Sequence, residues 1–426
     1  MENSKSFIRS IGLNMKFRIT SLCSAVKTKL NHGHNRSVNA KKNIIGLVLI
    51  KGASILINLF LVPLTINYIN PTKYGIWITL TSIIGWFSFF DIGFGHGLRN
   101  KFAESVAKGE YETARIYVST TYFILAVLVG ILLAIFLVIN PILDWVVILN
   151  TSRSMANELS LLALILFTFF CIQFVLQLIT TVMTANQDPA KASLLQLLGS
   201  ALSLILIFVV TKTTSGNLIY LGIIVSACPV LILIVSSLWF YKHEYRMYAP
   251  SIKHIKLSHG RNLMGLGIKF FIIQIGAVIF FQTDNIIISQ LFGPEEVTVF
   301  NITFKLFSII IMLFSIIVAP LWSAFTDAYT KSDFVWINST FAKVKNVWLI
   351  FVACTIVILI TSPIIIRLWV GENVKVPFML SVAMCMYVIA ITWQSIHVYF
   401  LNGIGKIQIQ LYLVIISGLI NIPLAI

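Results

Sequence analysis

The sequence predicts an all-α polytopic membrane protein built from two parallel repeats of six helices. Three observations carry that prediction. The composition suits no soluble domain: of 426 residues, 58% are hydrophobic and 11% charged, where a soluble domain carries roughly 25% charged residues. Apolar runs of about 20 residues recur along the chain, the length at which a helix crosses hydrocarbon with its backbone hydrogen bonds kept internal. A single sequence shift then lays the second half of the chain on the first in register.

Residues 1–42 hold nine Lys or Arg and one acid, Glu2. No apolar stretch long enough for a signal peptide lies among them, so they read as a basic cytoplasmic leader. Apolar spans follow at about 44–66, 76–92, 117–140, 160–182, 192–210 and 218–240, an N-terminal bundle over 43–240. The polar, basic stretch 241–262 reads as a cytoplasmic linker. Spans at about 263–289, 297–320, 346–366, 377–400 and 407–426 make a C-terminal bundle over 263–426. Eleven spans are visible, one fewer in the second half than in the first. A truncated bundle, with a twelfth span beyond Ile426, is expected; a natural end with the terminus outside would look the same.

With the leader in the cytoplasm, the inside segments hold 23 basic residues. The outside segments hold five: Lys73, Arg153, Lys212, Arg367 and Lys375. This bias follows the positive-inside rule. It accounts for the net charge of +16 without a nucleic-acid partner, which would need a basic face on a folded soluble module.

The repeat has a fixed register. FAESVAKGE (102–110) lies over FTDAYTKSD (325–333), with Phe102 on Phe325, Glu104 on Asp327, Lys108 on Lys331 and Glu110 on Asp333. The same shift sets Pro71 on Pro294, each in a short turn between apolar runs. It carries span one to span seven and span two to span eight. An even number of spans preserves orientation, so the repeats are parallel, as in transporters built from two halves around a pathway.

Polar residues inside the spans are the candidate site, since a charge in hydrocarbon must face protein or water, or snorkel. Lys51, Ser54 and Asn58, with Thr65 one heptad further, share one side of span one. Span seven carries Lys269, Gln274, Gln282, Asp284 and Asn285, and span eight carries Asn301, Lys305 and Ser308. Lys51, Asn58, Lys269, Gln274, Asn301 and Lys305 are the candidate substrate-cavity residues. Asp284 and Lys305, both in the outer halves of adjacent spans, are candidates for a gate or ion pair. Lysines outnumber acids here, which suits an anionic headgroup, because phosphate oxygens match a lysine point charge.

The stretch FFDIGFGHGLRNKFAES, residues 89–105, follows span two. Its Asp91, Gly93, Gly95, Arg99 and Asn100 do not open a βαβ unit, so the glycines fail the context for a dinucleotide fingerprint. An interfacial amphipathic helix is expected instead, with Phe102, Val106, Ala107 and Tyr111 on its apolar face. Catalytic signatures are missing: there is no H-E-x-x-H, G-x-S-x-G or Walker A pattern and no close acidic pair within a span. Five cysteines form no C-x-x-C pair and read as small buried hydrophobes. No cofactor and no metal is expected.

The run YGIWITLTSIIGWFSFFDIGFGHGLRNKFAESVAKGE (74–110) resembles the polysaccharide, or O-antigen-type, flippases of the multidrug/oligosaccharidyl-lipid/polysaccharide exporter superfamily. So do the opening NIIGLVLIKGASILINLFLVPLTINYI and the turn LFGPEEVTVFNITFKLF (291–307). The resemblance covers roughly residues 43–426. It implies two six-helix bundles facing each other in a V. It implies translocation of an undecaprenyl-pyrophosphate-linked oligosaccharide, such as an O-antigen or capsule repeat unit, from the inner to the outer leaflet by alternating access. The expected setting is the bacterial inner membrane, with the lipid bilayer, the lipid-linked oligosaccharide and envelope polymerases and glycosyltransferases as partners. Two other readings stand beside it: a cation-coupled multidrug exporter, for which Asp284 is the one acid deep enough, and a membrane-bound envelope glycosyltransferase or polymerase.

Overall fold

The computed structural model describes residues 35–91, 94–186, 188–260, 284–318, 331–372 and 374–404, with single positions at 321, 325, 328, 329, 412, 413 and 416. Among them the chain is helical, joined by turns. In order come α1 (Asn35–Ile69), α2 (Pro71–Gly85), α3 (Phe94–Ala107), α4 (Tyr111–Ile139) and the short α5 (Trp145–Ile148). There follow α6 (Ala156–Leu176), α7 (Leu178–Ala185), α8 (Pro189–Thr213) and α9 (Leu218–Lys242). After 243–260 the described chain resumes with α10 (284–292), α11 (Pro294–Val318), α12 (Phe334–Val370) and α13 (Phe378–Gly403).

Eight described segments are long and apolar enough to cross a membrane, not the eleven expected. They match expected spans one, three to six and eight to ten. Most of spans seven and eleven lies outside the described residues, as do positions 1–34 of the leader. Span two is redrawn. Asn70 caps α2, its Oδ1 accepting from the Lys73 N–H, and Pro71 is preset for a first helical position. The helix therefore starts at Pro71, not 76, and its α-form ends at Gly85. Residues Trp86–Asp91 continue it as a 3₁₀ turn. The two parts together reach roughly 34 Å, close to hydrocarbon thickness. α1 begins at Asn35, within the expected leader, and its apolar span runs from Gly46 to Ile69.

The repeat register recurs in backbone detail. Asn70 and its counterpart Gly293 both have positive φ, 74° and 97°. Each N–H donates to the carbonyl four residues back, Ile66 and Ser289. Gly109 and its counterpart Ser332 are left-handed too, at 77° and 57°. The next residues, Glu110 and Asp333, have nearly the same angles and donate at 2.9 Å to Ser105 and Ala328, again counterparts.

The two halves meet where α2 and α11 begin. A Cβ on Gly75 would lie 1.6 Å from the Pro294 carbonyl oxygen, so the helices touch backbone to backbone. The Thr298 hydroxyl donates to the Pro71 carbonyl at 2.6 Å. Shifted by one repeat, Pro71 becomes Pro294 and Gly75 becomes Thr298. The two contacts are thus one contact made twice, as across a two-fold axis.

Other hydrogen bonds join the halves near this end. Asn150 donates to the Ser289 carbonyl, Gln290 to the Val147 and Ile148 carbonyls, and Trp369 Nε1 to Leu59 O at 2.7 Å. One apolar core runs across both halves here, from Val62 and Leu80 to Ile302 and Ile310. Towards the other end the second half packs on itself: Phe314, Val318, Val344 and Ile396 form one cluster, and Phe325, Ala328 and Ile337 another.

At that other end, the expected linker is docked on the first half. Arg115 Nε donates to Ala249 O at 2.9 Å, and the Ser251 and Lys256 N–H groups donate to the hydroxyls of Ser119 and Thr120. Tyr245 is fully buried and donates to Asp188, while Lys191 bridges Asp188 and Glu244. Burial, then the neighbouring carboxylates, push the Tyr245 phenol well above its ordinary range.

Gly75→Ala is expected to cost at least about 1–3 kcal/mol by overpacking the crossing. Gly85→Ala, where a Cβ meets nothing within 4 Å, is expected to be neutral or slightly stabilising. Thermal melting of the two purified variants in detergent separates them.

Candidate functional site

Just inside the crossing lies a cavity of about 610 Å³. Ile78, Thr81 and Ser82 of α2 line it, with Asp284 and Asn285 of α10 and Phe300, Asn301 and Phe304 of α11. Leu380, Ala383, Met384 and Tyr387 of α13 complete the wall. The size is that of a small-molecule site, and the mix of apolar wall and a few converging polar groups is typical of one.

The polar groups form a buried relay. Asn301 Nδ2 donates to Asn285 Oδ1 at 2.8 Å and also to the Val297 carbonyl at 2.9 Å. Asn285 Nδ2 donates to Ser82 Oγ at 2.8 Å. Three helices are tied by these buried side-chain hydrogen bonds, which brace this wall of the cavity. Asp284 sits beside the relay on the cavity wall. Phe300 and Phe304 lie nearly parallel, with centroids 6.4 Å apart, and Tyr387 stands 6.3 Å from Phe304. Among the described lining residues there is one carboxylate and no cationic side chain.

The structure distributes the expected site residues unevenly. Asn301 and Asp284 reach the cavity. Lys305, half-buried one turn along from Asn301, donates to the hydroxyl of Tyr74 at 2.8 Å. Its ammonium is 5.5 Å from the ring centroid, which puts it off the hydroxyl edge and not over the ring face. Lys51 and Asn58 are exposed on α1 and do not line the cavity; Asn58 Nδ2 donates back to Ser54 O. Lys269, Gln274 and Gln282 lie outside the described residues.

Sequence reasoning missed Tyr74, Ser82 and the aromatic wall. One signal was available for Ser82: the repeat places it on Lys305.

The glycine stretch resolves into a helix. Asp91 closes the 3₁₀ turn, Gly93 lies outside the described residues, and Gly95, Arg99 and Asn100 fall in α3, the last two exposed. Leu98 and Phe102 are fully buried and Val106 half-buried, as expected for the apolar face. Ala107 and Tyr111 are exposed, so that face is shorter than expected. Phe102 packs edge-on against Tyr248, with centroids 4.8 Å apart. Glu104 bonds both Lys108 and Lys101, and these bonds and charges lower its pKa to about 2.

Comparison with known proteins agrees with this architecture. The family profile described as polysaccharide biosynthesis protein matches residues 40–325. A candidate O-antigen export protein of Yersinia pseudotuberculosis is 20% identical over 365 residues, 83% of this chain and 81% of that protein. A candidate O-antigen transporter of Salmonella typhimurium is 21% identical over 84% of this chain and 82% of its own length. Among solved structures, the inward-facing form of a multidrug resistance MATE family transporter of the MOP superfamily superposes with a TM-score of 0.71. It shares 15% identity and covers 86% of this chain and 84% of its own. An outward-facing form of such a transporter gives 0.63 at 17% identity, over 89% and 86% of the two chains. The likeness assigns the fold, an all-α polytopic membrane protein of the V-shaped, alternating-access type.

Two outcomes are expected. Asn301→Ala leaves Asn285 Oδ1 buried without its donor and costs about 1–3 kcal/mol; Ser82→Ala combined with it is less than additive, read by a double-mutant cycle of melting temperatures. Glu104→Gln tests the α3 cluster. The folded-state pKa of Glu104 is lowered, so its contribution is present above the ordinary 4.5 and fades as pH falls towards about 2. The small stability gap between parent and variant is therefore constant above pH 4.5 and closes below it, measured by melts across that range.

Proposed function

The chain belongs to the polysaccharide biosynthesis protein family, within the MOP superfamily of membrane transporters, and from that premise we propose that its cargo is an undecaprenyl-pyrophosphate-linked oligosaccharide. It is a transporter that moves a lipid-linked substrate by alternating access. On the proposed reading, the repeat unit of an O-antigen or capsule passes from the inner to the outer leaflet of the bacterial inner membrane. The leader and the stretch 241–262 face the cytoplasm, and 43–240 and 263–426 act as the two moving bundles.

The observation that carries the reading is the match to O-antigen exporters over four-fifths of their length. The cavity chemistry is compatible with it. Ser82, Asn285 and Asn301 offer amide and hydroxyl groups suited to sugar hydroxyls, and Phe300, Phe304 and Tyr387 offer flat apolar faces for sugar rings. Lys51, Lys269 and Lys305 are the candidates for holding the pyrophosphate, and Asp284 and Lys305 the candidates for a charge pair made in another state of the cycle. Envelope glycosyltransferases would supply this cargo and a polymerase would consume it.

A second reading has its own support. The solved structures it resembles are multidrug transporters, and the cavity wall carries Asp284 beside three aromatic rings with no cationic group among the described lining residues. That wall suits an aromatic cation, drawn by the carboxylate and the ring faces, with export coupled to a cation gradient.

Purified protein in vesicles, loaded with an undecaprenyl-pyrophosphate oligosaccharide, decides between them. Under the first reading the headgroup reaches the far leaflet, and Lys51→Ala, Lys269→Ala and Lys305→Ala each slow it about tenfold, the size of one lost charge-assisted contact. Unchanged rates in all three overturn the lysine assignment. Gradient-driven uptake of an aromatic cation, abolished by Asp284→Asn, supports the second reading instead.

A further inference from the structure

The crossing of α2 and α11 contains one contact that the repeat does not explain. Its framework is duplicated: Gly75 against Pro294 and Thr298 against Pro71 are the same contact seen twice. The bond between Tyr74 and Lys305 is single. Their repeat counterparts are Val297 and Ser82, which have neither phenol nor ammonium. A group added to one side of a symmetric seal needs a reason other than the seal itself.

The bond also joins the seal to the neighbourhood of the site. Tyr74 precedes Gly75, at the seal, and is 3% exposed. Lys305 lies one turn after Asn301 and directly follows Phe304, both on the cavity wall. Its long side chain runs back towards the start of α11, as helical side chains do, and ends on the buried phenol. While it is there, the ammonium ties the second half to the first and is engaged by the phenol.

We propose that Tyr74 and Lys305 form a cargo-sensitive latch on the outer gate. The α2/α11 crossing closes the outer end of the pathway, and Lys305 holds it closed by donating to Tyr74. An anionic phosphate entering the cavity competes for the same ammonium. A charged oxygen is the stronger acceptor, so the exchange runs towards the cargo, and release of Tyr74 frees the crossing to part. The anion step rests on the lipid-linked reading; the latch itself does not. By the positive-inside count, this end of the bundle is the outer one.

Cysteine accessibility tests both parts. Ala383, exposed on the cavity wall, is changed to cysteine in a chain whose own five cysteines are replaced. A membrane-impermeant maleimide is then applied from the outer side in right-side-out vesicles. Tyr74→Phe keeps the ring and removes the acceptor, and is expected to raise the labelling rate about tenfold without cargo. Lys305→Met is expected to do the same, and the double variant no more than either alone. Undecaprenyl pyrophosphate is expected to raise labelling in the parent and to change nothing in Lys305→Met.

Labelling of Tyr74→Phe at the parent rate overturns the latch, whatever the lipid does. Faster labelling of Tyr74→Phe, with no response of the parent to the pyrophosphate lipid, keeps the latch and overturns the lipid-linked cargo as its trigger. Labelling from the inner side serves as the control for folding: it is expected to stay level or fall in Tyr74→Phe, and a rise from both sides overturns the gate by showing a loosened protein.

Discussion

The fold turns on how closely two backbones approach. Gly75 lets the start of α2 meet the start of α11 with no side chain between them, and the cavity takes its shape from that meeting. Beyond the crossing, Asn285 reaches Ser82 of α2 on one side and Asn301 of α11 on the other. The shared core takes residues from both halves, Val62 and Leu80 with Ile302 and Ile310. Further along α11 the second half closes on itself around Phe314 and Val318.

The bilayer sets the second constraint. In hydrocarbon a hydroxyl or amide must find its partner within the protein. Most span hydroxyls here take the nearest solution, the carbonyl three or four residues back: Thr65 on Leu61, Thr79 on Gly75, Thr121 on Tyr117, Thr303 on Val299, Thr355 on Phe351 and Thr392 on Val388. Such bonds satisfy the group and leave nothing for a ligand. Ser82, Asn285 and Asn301 bond instead across helices and frame the cavity, as Thr298 bonds across the crossing. Asn58, polar and well spaced on α1, takes the local solution and bonds back to Ser54.

Opposite the crossing, the constraint is attachment and not passage. The segment after α9 is pinned to α4 by Arg115, Ser119 and Thr120, and to the α7–α8 turn through Tyr245 and Asp188. A connection fixed at its first-half end moves with that half. The polar composition that made 241–262 read as a linker describes what it is made of, and its hydrogen bonds determine what it moves with.

The sequence determined what local chemistry can determine. Apolar length set eight of the spans, because crossing hydrocarbon is a property of a segment by itself. Like residues at one shift, Pro71 and Pro294 or Phe102 and Phe325, face like local demands, and the left-handed turns at Asn70 and Gly293 recur with them. The superfamily was legible for the same reason, in the run from Tyr74 to Glu110. Span two was started five residues late because it opens on Pro71 behind the Asn70 cap, a turn that hydropathy does not register as membrane. The site was half legible: Asn301 and Asp284 were named, while Ser82 and the rings of Phe300, Phe304 and Tyr387 were not, since nothing in a single apolar run says which side meets another helix. Lys305 was named for its charge, but its partner was decided only by the crossing. Tyr74 lies 231 positions away in the chain, and only the tertiary structure brings a phenol to that ammonium.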